Sequence, residues 1–346
     1  MHPKRTPLTK RVNFRYLVAQ GENRDSFETH GVQALADLKI FSKDDFPKYL
    51  PKLNSLYDEL FSSGKGFRSK LIQRIGRHLH LNERQEHLLA QTIEFIHNAS
   101  LLHDDLIDRS HLRRSKPAAW LKYSPEYAVL AGDYLLARVM VNLSRYGNLR
   151  LIQYTAEMIS DLLEGEWIQD SLVRDWNVQL KQLDQVHDLK TASLFKWCLR
   201  APFIAKENYH EDLHQTLDEM GTMLGLLFQR GDDLLDFDIR NDEGKAVLGD
   251  LKSGYLNSFA AYLARDFDDE TKQNLKNCET LDAVKELVGS DDFNHAVQQF
   301  DEMNRQVIGL YEHKAQSLET HLAKEERGLV NDLMGLPSLL YFRRAE

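Results

Sequence analysis

The chain of 346 residues has two cysteines, Cys198 and Cys278, and neither has a neighbour at metal-ligand spacing. That scarcity excludes a disulfide scaffold and a cysteine-based zinc site. Long apolar runs are missing as well: the stretch 223–228 is far short of the ~20 residues that a bilayer-spanning helix needs. The opening MHPKRTPLTKRVNFRY is basic but lacks an apolar core of about 7–15 residues, so no secretory signal is read there and a cytoplasmic location is expected. There is no basic excess. With 44 Lys and Arg against 53 Asp and Glu, the net charge is −9, which argues against a nucleic-acid partner.

Proline is sparse too, with eight in the chain and none between Pro202 and Pro337. In that interval apolar residues recur at three- and four-residue spacing, as in the stripe Leu213, Leu217, Met220, Leu224 and Leu227, and the pattern reads as successive helices. Alternating β-branched runs bounded by Asn-Gly or Asp-Gly are few, so strand content is expected to be low. The expected architecture is all-α, with a tail over 1–24 and a single large helical domain over 25–346. Loop signals fall at 61–66, 109–118, 146–148, 206–211 and 238–254.

Acidic residues are the conspicuous positive signal. Residues 103–108 read HDDLID, with Asp104, Asp105 and Asp108, and residues 231–236 read GDDLLD, with Asp232, Asp233 and Asp236. A chain with 30 Asp gives D-D-x-x-D by chance roughly 0.2 times, so the pair is informative where one copy is not. On a helix, positions i and i+4 share a face with Cβ atoms about 5–6 Å apart. Asp104 with Asp108 then forms one acidic claw, and Asp232 with Asp236 another. The segments just upstream are apolar around most of their circumference, as buried helices are. Carboxylates held there need cations, and hard oxygen ligands at this spacing suit Mg²⁺, which shares its remaining positions with water and substrate phosphates.

Fixed cations that could face a diphosphate lie in the neighbouring loops. Lys65 and Arg68 stand in SGKGFRS, Arg113, Arg114 and Lys116 in LRRSKP, Lys190 in LKTASLF and Lys245 in EGKAVLGD. The first string is not a P-loop, because the G-x-x-x-x-G-K-[ST] spacing is absent. His97 and His103 flank the first claw.

The strings GKGFRS, EFIHNASLLHDDLIDRSHLRRSKPAAW, AVLAGDYLLA, LKTASLF and FQRGDDLLDFDIRNDEGKAVLGD, in that order over 63–254, resemble the trans-isoprenyl diphosphate synthases, or polyprenyl synthetases. Terpene cyclases and squalene-type synthases carry other metal motifs and fit less well. The resemblance implies an isoprenoid-synthase fold with a central cavity between helices, a homodimer, and Mg²⁺-dependent head-to-tail prenyl transfer. An allylic diphosphate would sit between the claws with three Mg²⁺; its C–O bond ionises, isopentenyl diphosphate attacks through its double bond, and a proton is lost. By the same resemblance Asp104, Asp108 and Asp232 bind metal directly, with Asp105, Asp233 and Asp236 in support and Asp236 completing the second claw. Lys65, Arg68, His97 and Arg114 would hold isopentenyl diphosphate. Arg113, Lys190 with Thr191, Gln229 and Lys245 would face the allylic diphosphate and its metals.

The chain departs from the family pattern in places. Where the family has G-G-K-R-x-R-P, residues 63–69 read SGKGFRS; where it has a lysine after the second claw, this chain has Tyr255. Arg230 and Gly231 replace residues that are usually apolar, and Arg230 either restores the lost charge or faces solvent. Product length follows from geometry. The growing chain would run beside the helix bearing Asp104, and a residue five positions upstream lies about 7.5 Å down the axis. Ala99 and Ser100 occupy that region without the aromatics, or the two extra motif residues, of short-chain members. A medium- or long-chain product is therefore expected, unless Phe95, Met140 or Trp167 closes the tunnel. The rival readings are a short-chain farnesyl or geranylgeranyl diphosphate synthase and a non-catalytic subunit that modulates a related synthase.

Overall fold

Capping residues set where the helices begin. The computed structural model describes residues 46–62, 66–113, 116–238 and 247–342. Helices α1 (Pro51–Ser62), α2 (Phe67–His78) and α3 (Glu83–Ile107) come first. Asn82 opens α3 with a capping box: its side chain accepts from the Gln85 amide at 3.0 Å and the Gln85 side chain accepts from the Asn82 amide at 3.1 Å. A short antiparallel hairpin follows, β1 (Leu112–Arg113) and β2 (Lys116–Pro117), with Leu112 opposite Pro117. Next are α4 (Ala119–Lys122), α5 (Pro125–Tyr146), α6 (Leu149–Leu172), α7 (Leu180–His187), a π-helical turn (Asp188–Ala192), α8 (Ser193–Ala205) and α9 (Glu211–Leu235). The remainder holds α10 (Gly249–Ser253), α11 (Ser258–Leu263), α12 (Asp269–Lys276), α13 (Leu281–Val288), α14 (Ser290–Ser317), α15 (Gly328–Met334) and α16 (Leu336–Tyr341). The expected loop over 238–254 thus contains a short helix, α10, which buries Leu251.

Helix α8 lies at the centre, packed by α2, α3, α6 and α9. Its sequence SLFKWCLRAPFIA is accordingly apolar nearly all round, and only Lys196 and Arg200 escape burial. Trp197 is fully buried and its indole donates to Thr155 Oγ1 on α6 at 3.0 Å, which satisfies the one polar atom of the ring. A second apolar cluster gathers Phe237, Phe259, Phe293 and Phe300 around the end of α9 and the helices after it. Helix α9 contributes to both clusters, Leu213 to Leu224 in the first and Leu234 in the second. No helix among the described residues is long and apolar enough to cross a membrane.

Glycines let the helices around the π-helical turn come close. A Cβ built on Gly225 of α9 would meet Ala192 Cα at 2.3 Å, and one on Gly165 of α6 would meet the Lys190 amide nitrogen at 2.9 Å. The turn is therefore clamped between two helix backbones. Gly309 of α14 has open space where its Cβ would stand. Urea unfolding should separate the two cases. Gly225→Ala is expected to lose about 2–3 kcal/mol through overpacking, whereas Gly309→Ala should gain about 0.5–1 kcal/mol from helix propensity. Equal effects would contradict the clamp.

Candidate active site

Both acidic claws sit at the C-terminal ends of long helices, the first closing α3 and the second closing α9. The exposed carbonyls there already carry partial negative charge, so the placement is electrostatically unfavourable unless cations arrive. Asp108 caps α3, and its amide still donates to Asp104 O at 2.8 Å. The i to i+4 geometry of the first claw is thereby kept. Asp236 caps α9, its amide donating instead to Leu234 O.

In the first claw, burial raises the Asp104 pKa from 3.8 to about 7; nearby Lys190 opposes this, and Glu166 and Asp108 reinforce it. The Asp108 pKa is raised as well, again chiefly by burial. Asp105 faces elsewhere. It accepts a bidentate contact from the Arg113 guanidinium, whose Nε lies 3.0 Å and 3.1 Å from its two oxygens. Arg113, expected to face the allylic diphosphate, is thus engaged with the middle aspartate of the motif. His103 turns to α5, where Nε2 donates to Val129 O at 3.3 Å.

In the second claw, burial raises Asp236 to about 7, Asp250 adds to the effect, and hydrogen bonds from the Gly249 and Asp250 amides oppose it. The Gly249 amide donates to Asp236 Oδ1 at 2.7 Å, while the buried Asp236 Oδ2 has no donor. Asp233 is fully enclosed, and burial lifts its pKa to about 6. It accepts from Gln229 Nε2 and from the Ser258 amide, both at 2.9 Å.

The π-helical turn reaches residues of both aspartate motifs. Lys190 Nζ lies 4.0 Å from Asp104 Oδ2 and forms a closer ion pair with Glu166. Burial lowers the Lys190 pKa, but Asp104 and Glu166 outweigh it and the net shift is upward, which keeps the ammonium charged. The adjacent Thr191 hydroxyl donates to Gln229 Oε1 at 3.3 Å, and Gln229 donates on to Asp233. Lys190 thus meets Asp104 of the first motif, and Thr191 and Gln229 meet Asp233 of the second. Arg68 places its Cζ 5.6 Å from the Phe195 ring centroid. His97 is half-buried on α3; Ala99 is fully buried, and Ser100 donates to His97 O at 3.0 Å. Lys65, Arg114, Lys245 and the 24/25 boundary lie outside the described residues.

Several expectations need correction. Arg230 neither faces solvent nor joins the claws. It is buried, donates to Asp184 Oδ1 at 2.8 Å and to Asn304 Oδ1 at 3.0 Å, because a buried guanidinium requires a partner and α7 supplies one. Tyr255, in place of the family's lysine, leaves that charge unreplaced, as its sequence position implied: burial raises its pKa, and Asp233, Asp250 and Glu166 push it further. Trp167, 76% exposed, and Met140 lie on the outer surface, so of the three bulky candidates only Phe95 is internal, its ring tilted against those of Phe46 and Phe61. Sequence reading missed Glu166 and Asp250. The run 164–167 gives no motif signal for Glu166; its proximity to Lys190 comes from the close approach at Gly165.

Divalent metal fits this donor set. Among the described residues no three donors converge on one point; each claw offers a carboxylate pair, and hydrated Mg²⁺ takes its other ligands from water and phosphate. The orphaned Asp236 Oδ2 is an oxygen that such an ion would satisfy. A surface pocket of about 740 Å³ lies elsewhere, lined by Tyr154, Arg200, His214 and Asp218. Tyr154 is 12 positions from Glu166 along α6, about 18 Å at 1.5 Å per residue, and the charges there pair with each other, Arg200 with Asp218 and His214.

The sequence profile described as polyprenyl synthetase matches residues 50–290. A prenyl transferase of Synechocystis is 33% identical over 217 residues, covering 61% of this chain and 67% of that protein. Solanesyl diphosphate synthase 1, chloroplastic, of Arabidopsis thaliana is 36% identical over 169 residues, covering 49% of this chain and 41% of that protein. The chain matches about half the length of such curated relatives. Among solved structures, a decaprenyl diphosphate synthase from Rhodobacter capsulatus superposes with TM-score 0.74 at 27% identity, covering 91% of this chain and 97% of that one. A polyprenyl synthase from Caulobacter crescentus, complexed with calcium and isoprenyl diphosphate, shares the fold at TM-score 0.70 and 24% identity, covering 92% and 96%.

The raised aspartate pKa values bear on stability. With Asp104 at 3.8 unfolded and about 7 folded, the unfolded state ionises first, so the native state loses stability as pH rises from about 4 to 7 and stays at that cost above 7. Asp104→Asn should therefore stabilise the metal-free chain at pH 8, by at least ~1 kcal/mol, and by less at pH 5. Thermal melts at both pH values check this; a gain that grows toward pH 5 would contradict it.

Proposed function

The chain belongs to the polyprenyl synthetase family, and on that footing we propose that it joins isopentenyl diphosphate head-to-tail to an allylic diphosphate, with Mg²⁺, to make a medium- or long-chain polyprenyl diphosphate. The observation that carries this reading is the pair of acidic claws at two helix ends, with Lys190 beside Asp104 of the first motif and Thr191 linked through Gln229 to Asp233 of the second. No side chain there serves as a nucleophile. The protein contributes preorganised charge instead, placed where the departing pyrophosphate develops its own.

Asp104, Asp108, Asp232 and Asp236 would hold the metal, with three ions as part of the reading. When bound, Mg²⁺ would neutralise the diphosphate and ease loss of pyrophosphate. Lys190 and Thr191 would position the allylic diphosphate, and Gln229 is oriented for the same task by Asp233. Asp105, tied to Arg113, would stiffen the first claw. Arg68, His97, Lys65 and Arg114 would receive isopentenyl diphosphate, and Lys245 would cover the allylic site. Relatives named solanesyl, hexaprenyl and decaprenyl synthases and the small pair Ala99 and Ser100 support the product length. A calcium ion in the Caulobacter neighbour supports divalent metal.

A homodimer belongs to the same proposal. Helices α5 and α6 expose Leu130, Met140, Val141, Leu163 and Trp167, more apolar surface than two solvent-facing helices ordinarily carry. We also read 25–346 as one domain, since α9 runs through both apolar clusters. The cytoplasmic location is part of this reading too, though curated relatives include chloroplastic and mitochondrial enzymes.

Incubation of the purified chain with labelled isopentenyl diphosphate and C5, C10, C15 or C20 primers, with products sized by chromatography, tests the function. Products longer than C20 are expected, and chelation should abolish them. Asp104→Ala or Asp232→Ala should cut turnover at least ~100-fold, the scale of losing one charge stabiliser; near wild-type turnover in either would remove the metal assignment.

Ala99→Phe tests the length argument separately. A phenyl ring at this buried position should shorten products toward C15 or C20 and leave the first condensation intact, because overpacking by about 1–3 kcal/mol slows later additions roughly ten- to a hundredfold. An unchanged product distribution at similar rate would show that Ala99 does not line the tunnel.

A further inference from the structure

Glu166 lies beside the first claw without belonging to either motif. Its carboxylate is largely buried, it forms the closer of the two ion pairs made by Lys190, and the other partner of that ammonium is Asp104 at 4.0 Å. Its charge is felt by Asp104 and Asp108 on α3 and by Tyr255 beside the second claw. The close packing at Gly165 against the Lys190 backbone fixes this placement.

An ammonium and a divalent cation compete for the same carboxylate. If Lys190 closed onto Asp104, it would occupy an oxygen that the metal needs. We propose that Glu166 is a positioning residue that holds the Lys190 ammonium off Asp104 and so keeps the first claw open to metal. The proposal rests on the metal-binding reading of the claws given above. Its mechanism is a division of one cation between two carboxylates: the nearer, Glu166, takes the larger share of the attraction, and Asp104 keeps the remainder. Lys190 stays charged and close enough to meet a diphosphate. Glu166 is not assigned to the metal itself, since its carboxylate is already committed to the ammonium.

A double-mutant cycle read by Mn²⁺ binding tests this without turnover. The full chain is titrated with Mn²⁺ alone, free ion being followed by electron paramagnetic resonance, for wild type, Glu166→Gln, Lys190→Gln and the double variant. Glu166→Gln should weaken Mn²⁺ binding about five- to tenfold, because Lys190 then closes onto Asp104. Lys190→Gln should bind at least as tightly as wild type, and the double variant should match Lys190→Gln within about twofold. If the double variant is instead weakened relative to Lys190→Gln as much as Glu166→Gln is relative to wild type, Glu166 acts without Lys190 and the proposal falls. The double variant also covers the case in which Glu166→Gln alone fails to fold, since it leaves no unpaired buried ammonium. Absence of Mn²⁺ binding by folded wild type would overturn the metal reading itself, an outcome distinct from a failed cycle.

Discussion

Everything at the site follows from putting like charges where helices are least hospitable to them. Two carboxylate pairs close α3 and α9, at ends where backbone carbonyls are already negative, and Asp104 and Asp236 are buried enough to rise to about 7. Such an arrangement stores an electrostatic cost that a cation removes. A fold selected for stability alone would place these side chains in solvent or pair them with arginine, as it does Asp105 with Arg113 and Asp184 with Arg230.

The scaffold keeps that cost from relaxing away. Central α8 and the π-helical turn before it are gripped by α6 and α9 through Gly165 and Gly225, and a π turn is a conformation that recurs at functional sites. The turn delivers Lys190 toward Asp104 and Thr191 toward Gln229, which donates to Asp233, so one short segment is linked to both aspartate motifs. Behind the second claw, Arg230 ties α9 to α7 and α14 through Asp184 and Asn304, and Asn304 donates on to Tyr341 of α16 at 3.2 Å. Movement of α9 relative to its neighbours would break these contacts.

Much of this was legible in the residues. The all-α class followed from sparse proline and helical apolar spacing, and the claws from two copies of one aspartate pattern. Lys190, Thr191 and Gln229 could be named from motif resemblance, though not their hydrogen-bonded connection, which depends on how α6, α8 and α9 pack. Arg230 was misjudged because a charge in an apolar stretch reads as exposed or functional until its partner is known, and Asp184 lies 46 positions away. Trp167 was named as a side chain that could close the tunnel because bulk is legible in a sequence and direction is not; it sits exposed on α6. Glu166 gave no signal, since a single glutamate in a helix is ordinarily a solvated one.

The central claim is that the claws bind metal and that the bound metal in turn holds the diphosphate, which the protein binds poorly without it. Thermal unfolding of the wild-type chain with Mg²⁺ alone, inorganic pyrophosphate alone, and both together tests it most directly. The account predicts a rise in melting temperature with both that well exceeds the sum of the separate effects, and loss of that excess in Asp232→Asn. Stabilisation by pyrophosphate alone equal to that with Mg²⁺ would contradict it, because basic side chains and not the acidic claws would then be holding the anion.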